Sequence, residues 1–257
     1  DEDYCKYIGS VVRPGGFMSR VMSTEECISC NNKMQRYSKI PMLVAANLEA
    51  GGNGVSSDGT ILGRPLEIGA TMDVEQARRL GEVCGNEGRA VGCNWAFAPI
   101  IDIDYNFRNP ITNTRTFGSD PNVVMKMGKA YVEEIQKYDI AACIKHFPGD
   151  GCDEHDQHIA PSINDLSCEK WDETYGMVYK NCIDAGAKTV MIGHIMQPAY
   201  SKYFNPNIKD NEIMPASVSK EIITNLLREK LGFNGLVITD STIMAGIAAM
   251  LPREKMV

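Results

Sequence analysis

IAACIKHFPGDGCDEHDQH, residues 140–158, opens with an apolar strand-like run. It then turns abruptly into a segment holding three of the chain's four histidines, four acidic side chains and a lysine. A run of this kind, covered by apolar residues on both faces and ending in polar ones, belongs in a parallel sheet whose strand ends carry function. Similar runs recur at YIGSVVRP (7–14), PMLVAANLE (41–49), CNWAFAPIID (93–102), KTVMIGHI (188–195) and GLVITD (235–240). Helical periodicity fills the intervals, at 19–38, 72–92, 121–138, 168–187 and 217–232. Ser23-Thr24-Glu25-Glu26 is a helix-start signal, and Gly232 is a helix stop after a last turn rich in Arg228 and Lys230.

Strand alternating with helix predicts a parallel α/β architecture. No GxGxxG follows the first strand and no phosphate-binding loop appears, so a nucleotide-binding doubly wound sheet has little support. Polar residues instead gather at the ends of several strands: Asn47 and Glu49, Asp102 and Asp104, Lys145 and His146, His194, and Asp240. A (β/α)₈ barrel of the TIM type builds its active site on that rim. Six strands are readable where eight close a barrel, so the expectation is a single barrel domain over residues 1–257 in which two strands either hide in loops or are missing from a fragment.

The 257 residues carry a net charge of -7, which argues against a nucleic-acid or anionic-membrane partner. Apolar stretches are strand-sized, so no membrane segment is expected, and no leader pattern opens the chain. Nine cysteines include the CISC pair Cys27 and Cys30, which lies within a helical pattern and has no second CxxC at zinc spacing. Free and mostly buried thiols are expected, which together with the lack of a leader points to a cytoplasmic location.

Two chemistries compete for residues 145–158. His155, His158 and their acidic neighbours are metal-ligand types, but Pro148, Gly149 and Gly151 make the segment a loop with no rigid ligand face, and no zinc signature is present. Proton transfer needs less. In Asp156-Gln157-His158 the carboxylate can accept from one ring nitrogen and orient an imidazole that gives a proton and takes it back. The alternative is a solvated acidic loop. Asp240 ends a strand at the barrel mouth, positioned as a nucleophile or an electrostatic stabiliser, with a helix N-cap as the alternative.

KHFPGDG (145–151) followed by DQH (156–158) resembles the signature of glycoside hydrolase family 3, in the subgroup of bacterial β-N-acetylglucosaminidases, where KHFPGHG precedes DSH. APIIDIDYNFRNPITNTRTFGSDP (98–121), VMIGHI (190–195) and LREKLGFNGLVITDSTIM (227–244) are similar to further runs of that family, in the same order. The resemblance implies a retaining exo-β-N-acetylhexosaminidase that releases terminal N-acetylglucosamine through a covalent glycosyl-enzyme. Asp240 would be the nucleophile and His158 the acid/base, held by Asp156 on a mobile loop. Lys145, His146 and Arg115 would bind the sugar, with Asn47 where relatives carry an aspartate. His194 would contact the substrate or be a satisfied rim residue. The implied partner is a small carbohydrate, with no cofactor and no metal. Three further departures stand out: Asp150 replaces the second histidine of the usual motif, the arginine usual after EGG is missing, and YIGSVVRPGG (7–16) is similar to the family's second strand, so the resemblance implies a barrel lacking its first strand and its last βα unit. A phosphorylase of the same family and an inactive carbohydrate-binding remnant are the rival readings.

Overall fold

The computed structural model describes residues 1–256. Eight strands form in chain order: β1 (Gly16–Met18), β2 (Leu43–Ala46), β3 (Trp95–Ala96), β4 (Ala141–Phe147), β5 (Ser162–Ile163), β6 (Thr189–Ile192), β7 (Ile195–Met196) and β8 (Leu236–Thr239). Six of them make one parallel sheet in the order β1-β2-β3-β4-β6-β8, while β5 and β7 pair separately beside the rim. This is the partial (β/α) barrel expected. Among the described residues its edge strands β1 and β8 pair with no common neighbour.

Alternation along the strands sorts side chains to two sides. Leu43, Ala45, Trp95, Phe97, Ala141, Cys143, Met191 and Ile238 pack together inside the curl. Val44, Ala46, Ala142, Ile144, Val190 and Ile192 face the helices and join the main core. The same period of two carries forward to the strand ends. Lys145 follows Ala141 and Cys143 on the inner side, and Asp240 follows Ile238, so both reach the cavity. Asp240 N–H still donates to Ile192 O at 2.9 Å, extending the β6–β8 ladder by one residue.

The helices start where the sequence says they should. Ser23 and Glu26 close a reciprocal capping box at Thr24–Arg36, Asp73 caps Val74–Ala90, and Asp120 caps Pro121–Ile135. The helix Glu221–Lys230 has the wide turn of i→i+5 bonding and ends before Gly232, whose φ of 72° fits a left-handed stop.

The expected strand at 7–14 is a correction. Glu2–Tyr7 is helical, begins at the Asp1 cap, and continues as a wide turn through Ile8–Val12 until Arg13 turns left-handed at φ 53°. Short apolar runs fit either periodicity, and here the acidic first turn decides for helix. The first strand lies just beyond, at Gly16–Met18, aligned with Leu43–Ala45. The helices Pro65–Ala70 and Pro198–Phe204, each with proline in its first turn, escaped the sequence reading because they are short.

All nine cysteines are free and six are buried. Burial pushes the thiols of Cys84, Cys93 and Cys143 up to about 12, which keeps them inert.

Trp171 anchors the turn that leaves β4. It is fully buried, donates from Nε1 to Pro148 O at 2.8 Å, and packs edge-on against Phe147 and Tyr200. Trp171→Ala is expected to cost about 3–5 kcal/mol through the cavity it leaves. A lowered denaturant midpoint at unchanged slope checks this.

Candidate active site at the C-terminal rim

A cavity of about 460 Å³ opens at the C-terminal ends of the sheet strands. Asn47, Arg115, Lys145, His146, His158 and Asp240 all line it, over an apolar floor that includes Trp95, Phe97 and Met191. Six of the eight residues singled out from the sequence therefore meet in one place. Trp95 is fixed there by donating from Nε1 to Thr189 Oγ1 at 2.8 Å and by an edge-on contact with Phe97.

Asp156, the seventh, stands behind His158: the His158 Nδ1–Asp156 Oδ1 distance is 2.6 Å, and the His158 backbone N–H donates to the same oxygen at 2.8 Å. His194, the eighth, goes elsewhere. It is fully buried, with Nδ1 2.8 Å from Ser217 Oγ and Nε2 2.9 Å from the Ser241 carbonyl. A carbonyl only accepts, so Nε2 carries the hydrogen and Nδ1 accepts from the serine. Burial lowers the pKa of this imidazole below its ordinary value. His194 is a satisfied wall residue that holds the segment after Asp240, and it does not face the cavity.

Asp240 is not a helix cap. The nearby helix is only Ala245–Ala248, and its cap position is Met244, without a side-chain bond. The carboxylate instead accepts the Ser241 N–H at 2.7 Å through Oδ1, and Oδ2 lies 3.9 Å from His146 Nε2. Burial pushes Asp240 up, but His146, the Ser241 N–H, Lys145 and His194 together outweigh it and leave the pKa below the usual carboxylate value. The group is an ionised carboxylate with one oxygen open to the cavity side.

Three acids organise the rest, the buried Asp102 and Asp150 and the part-buried Glu49, and the sequence reading assigned none of them a role. Glu49 takes Lys145 Nζ at 2.8 Å and both Arg115 Nε and Nη2, at 3.1 and 2.9 Å. Asp102 Oδ1 accepts the backbone N–H groups of His146 and Asp150, at 3.0 and 2.8 Å, while Oδ2 lies 2.7 Å from His146 Nδ1. With Nδ1 donating to Asp102, His146 turns Nε2 toward Asp240. Asp150 accepts Asn109 Nδ2 at 2.9 Å, the Gly151 N–H at 2.7 Å and Gln157 Nε2 at 3.0 Å. Burial and the neighbouring Asp102 push Asp150 up to about 6, against the pull of His146 and its donors. Strand-end position was the available signal for Glu49 and Asp102. The one sequence mark on Gln157 is that it stands where the DSH form has serine.

For Glu49, burial pushes the carboxyl up, yet Lys145 and Arg115 more than reverse this and hold it at about 2. A folded-state value below the unfolded one means stabilisation that is complete above the unfolded pKa and lost as pH falls toward about 2. Its size is roughly 3 kcal/mol. Unfolding free energies measured from pH 6 downward should fall less steeply below pH ~4.5 in Glu49→Gln than in the parent protein. Parallel curves would remove Glu49 from the acid response.

The chain matches the Glycosyl hydrolase family 3 N terminal domain over residues 5–257. It is 48% identical over 257 residues to a beta-N-acetylglucosaminidase/beta-glucosidase of Cellulomonas fimi, covering all of this chain and 46% of that protein. It is 31% identical to beta-hexosaminidase A of Pseudoalteromonas piscicida, covering 90% of this chain and 41% of the relative. Among solved structures, beta-glucoside phosphorylase BglX bound to 2FGlc superposes with a TM-score of 0.93 at 48% identity, over 95% of this chain and 44% of that one. A family 3 beta-N-acetylglucosaminidase from Paenibacillus sp. str. FPU-7 gives 0.88 at 27% identity, over 96% of this chain and 47% of that one. The chain thus spans under half the length of these relatives. With the family match running nearly end to end and the rim motifs in family order, the chain belongs to glycosyl hydrolase family 3.

Proposed function

We propose that the protein containing this chain hydrolyses terminal N-acetyl-β-glucosaminides with retention. The observation that carries the reading is the meeting of Asp240 and the Asp156–His158 pair at one cavity. Asp240 attacks the anomeric carbon as the glycosidic bond breaks, and His158 gives its proton to the departing oxygen. In the second half, His158 takes a proton from water, the water oxygen bonds to the anomeric carbon, and the carboxylate of Asp240 is released. A histidine in this role keeps a second anion away from Asp240 as covalent attack begins.

Lys145, Arg115, His146 and Asn47 bind sugar hydroxyls in this scheme. Glu49 and Asp102 hold the first three in place, so their donors are aimed before substrate arrives. Asn47 both donates and accepts, and its Oδ1 lies 3.5 Å from Lys145 Nζ. His194 is left out of the sugar contacts because both ring nitrogens are engaged within the protein. The names of the relatives, beta-hexosaminidase and beta-N-acetylglucosaminidase/beta-glucosidase, support a β-linked hexoside as substrate.

Phosphorolysis is a second reading, favoured by one observation: the 48% identical structure titled beta-glucoside phosphorylase. There, phosphate replaces water in the second half-reaction and a sugar 1-phosphate leaves.

The deciding assay follows 4-nitrophenol release from the N-acetyl-β-glucosaminide and the β-glucoside, with and without phosphate. Turnover is expected in the parent protein and absent in Asp240→Ala. His158→Ala is expected to lose on the order of 10²–10⁴-fold on substrates with poor leaving groups. A sugar 1-phosphate product, with faster turnover in phosphate, would replace hydrolysis by phosphorolysis. Equal rates in the parent and Asp240→Ala would sink the nucleophile assignment.

A further inference from the structure

Gln157 sits between the two members of the proposed acid/base pair and points the other way. Asp156 is part-buried and His158 is exposed, but Gln157 is 0% exposed. Its side-chain amide spans two fixed points: Nε2 donates to Asp150 Oδ2 at 3.0 Å, and Oε1 accepts the His194 N–H at 2.8 Å. Its own carbonyl accepts the Gly246 N–H at 2.9 Å, and the His158 carbonyl accepts that of Ala245 at 3.0 Å. Every polar group of Gln157 other than its N–H is therefore tied to the barrel rim or to the segment after Asp240.

Asp150 is the complementary socket. Its carboxylate receives three donors, from Asn109, Gly151 and Gln157, and offers none. Asn109 also donates to the Asp153 carbonyl at 3.0 Å, so the same cluster grips the loop at a second place. Asp150 itself is fixed by donating its backbone N–H to Asp102, which also orients His146. The KHFPGDG and DQH runs differ from the KHFPGHG and DSH forms at Asp150 and Gln157, and these two side chains bond to each other.

We infer that Asp150 and Gln157 form a buried latch that holds the loop carrying Asp156 and His158 closed over the cavity. Both are positioning residues that act through His158, and this role rests on the acid/base reading given above. The latch converts the placement of a half-exposed histidine on a loop into a matter of buried hydrogen bonds, each costly to leave unmade. Small errors in the aim of a proton donor reduce rate steeply.

The test compares the parent protein with Gln157→Ser, whose side chain is too short to reach Asp150, and Asp150→Asn, whose oxygen keeps Asn109 and Gly151 while its NH2 opposes the Gln157 donor. Two readouts are taken on each. Amide hydrogen exchange over residues 152–160 is expected to speed up while the strands keep their protection. The kcat/KM on a sugar or alkyl aglycone is expected to fall on the order of 10- to 100-fold. On a 2,4-dinitrophenyl aglycone, which departs without a proton, it should hold within about threefold. The double variant should lose less than the product of the single losses, as contacting partners do. Unchanged exchange over 152–160 in either folded variant would overturn the latch, whatever the kinetics. Faster exchange with equal losses on both aglycones would leave the loop anchored as described, but would overturn His158 as the acid/base and with it the positioning role.

Discussion

The Asp102 carboxylate, wholly buried where the PIID run leaves β3, accepts the His146 and Asp150 backbone N–H groups and pairs with His146 Nδ1. A buried carboxylate is tolerated only when its oxygens are this well supplied. The three bonds do different things at once. Two backbone bonds fold the chain tightly as it exits β4, so that residues 146 and 150 share one acceptor. The ring bond turns Nε2 of His146 toward Asp240. From Asp150 the chain of contacts runs on to Gln157, the loop and His158. Remove Asp102, and His146 and Asp150 lose their common reference.

The charge balance of the cavity follows from the same design. Lys145 and Arg115 are both close enough to Asp240 to matter, but Glu49 engages each of them directly. Glu49 therefore partly cancels two cations that would otherwise draw an anion into the cavity. Enough field remains for Asp240 to stay below its ordinary pKa despite burial. The result is a carboxylate held below its ordinary pKa without a close ion pair, since His146 Nε2 stands off at 3.9 Å.

How far the sequence foretold this depended on the range of the interaction. Strands β2, β4, β6 and β8 were legible because each is an apolar run ending in a polar residue, and period-two alternation then sent Lys145 and Asp240 inward. Strand β1 was misplaced because Gly16–Met18 is three residues without a β-branched side chain, while the more apolar 7–12 run beside it is helical. The Asp156–His158 pair is a local contact and was readable from spacing. Asn109 with Asp150 and Gln157 with His194 bridge 41 and 37 residues. Which acceptor each of these donors would meet is decided only when the sheet is assembled. His194 is of the same kind: its rim position is local, but its partners Ser217 and Ser241 are not.

The spacing of the site is set by β6, the strand between the two that carry its charged groups. β4 and β8 both pair with β6 in parallel, with Val190 aligned to Ile144 on one side and Val237 on the other. Two inter-strand steps of about 4.8 Å separate the strand that bears Lys145 and His146 from the one that bears Asp240. Just past the end of β6 lies Gly193, where a β-carbon would lie 3.2 Å from both His146 Cβ and Gln157 Oε1, and 2.9 Å from Ile195 Cδ1. The missing side chain lets His146 lean toward Asp240 from one side and Gln157 seat from the other. His146 and Gln157 thus meet across a single glycine, and any larger residue there would disturb both together.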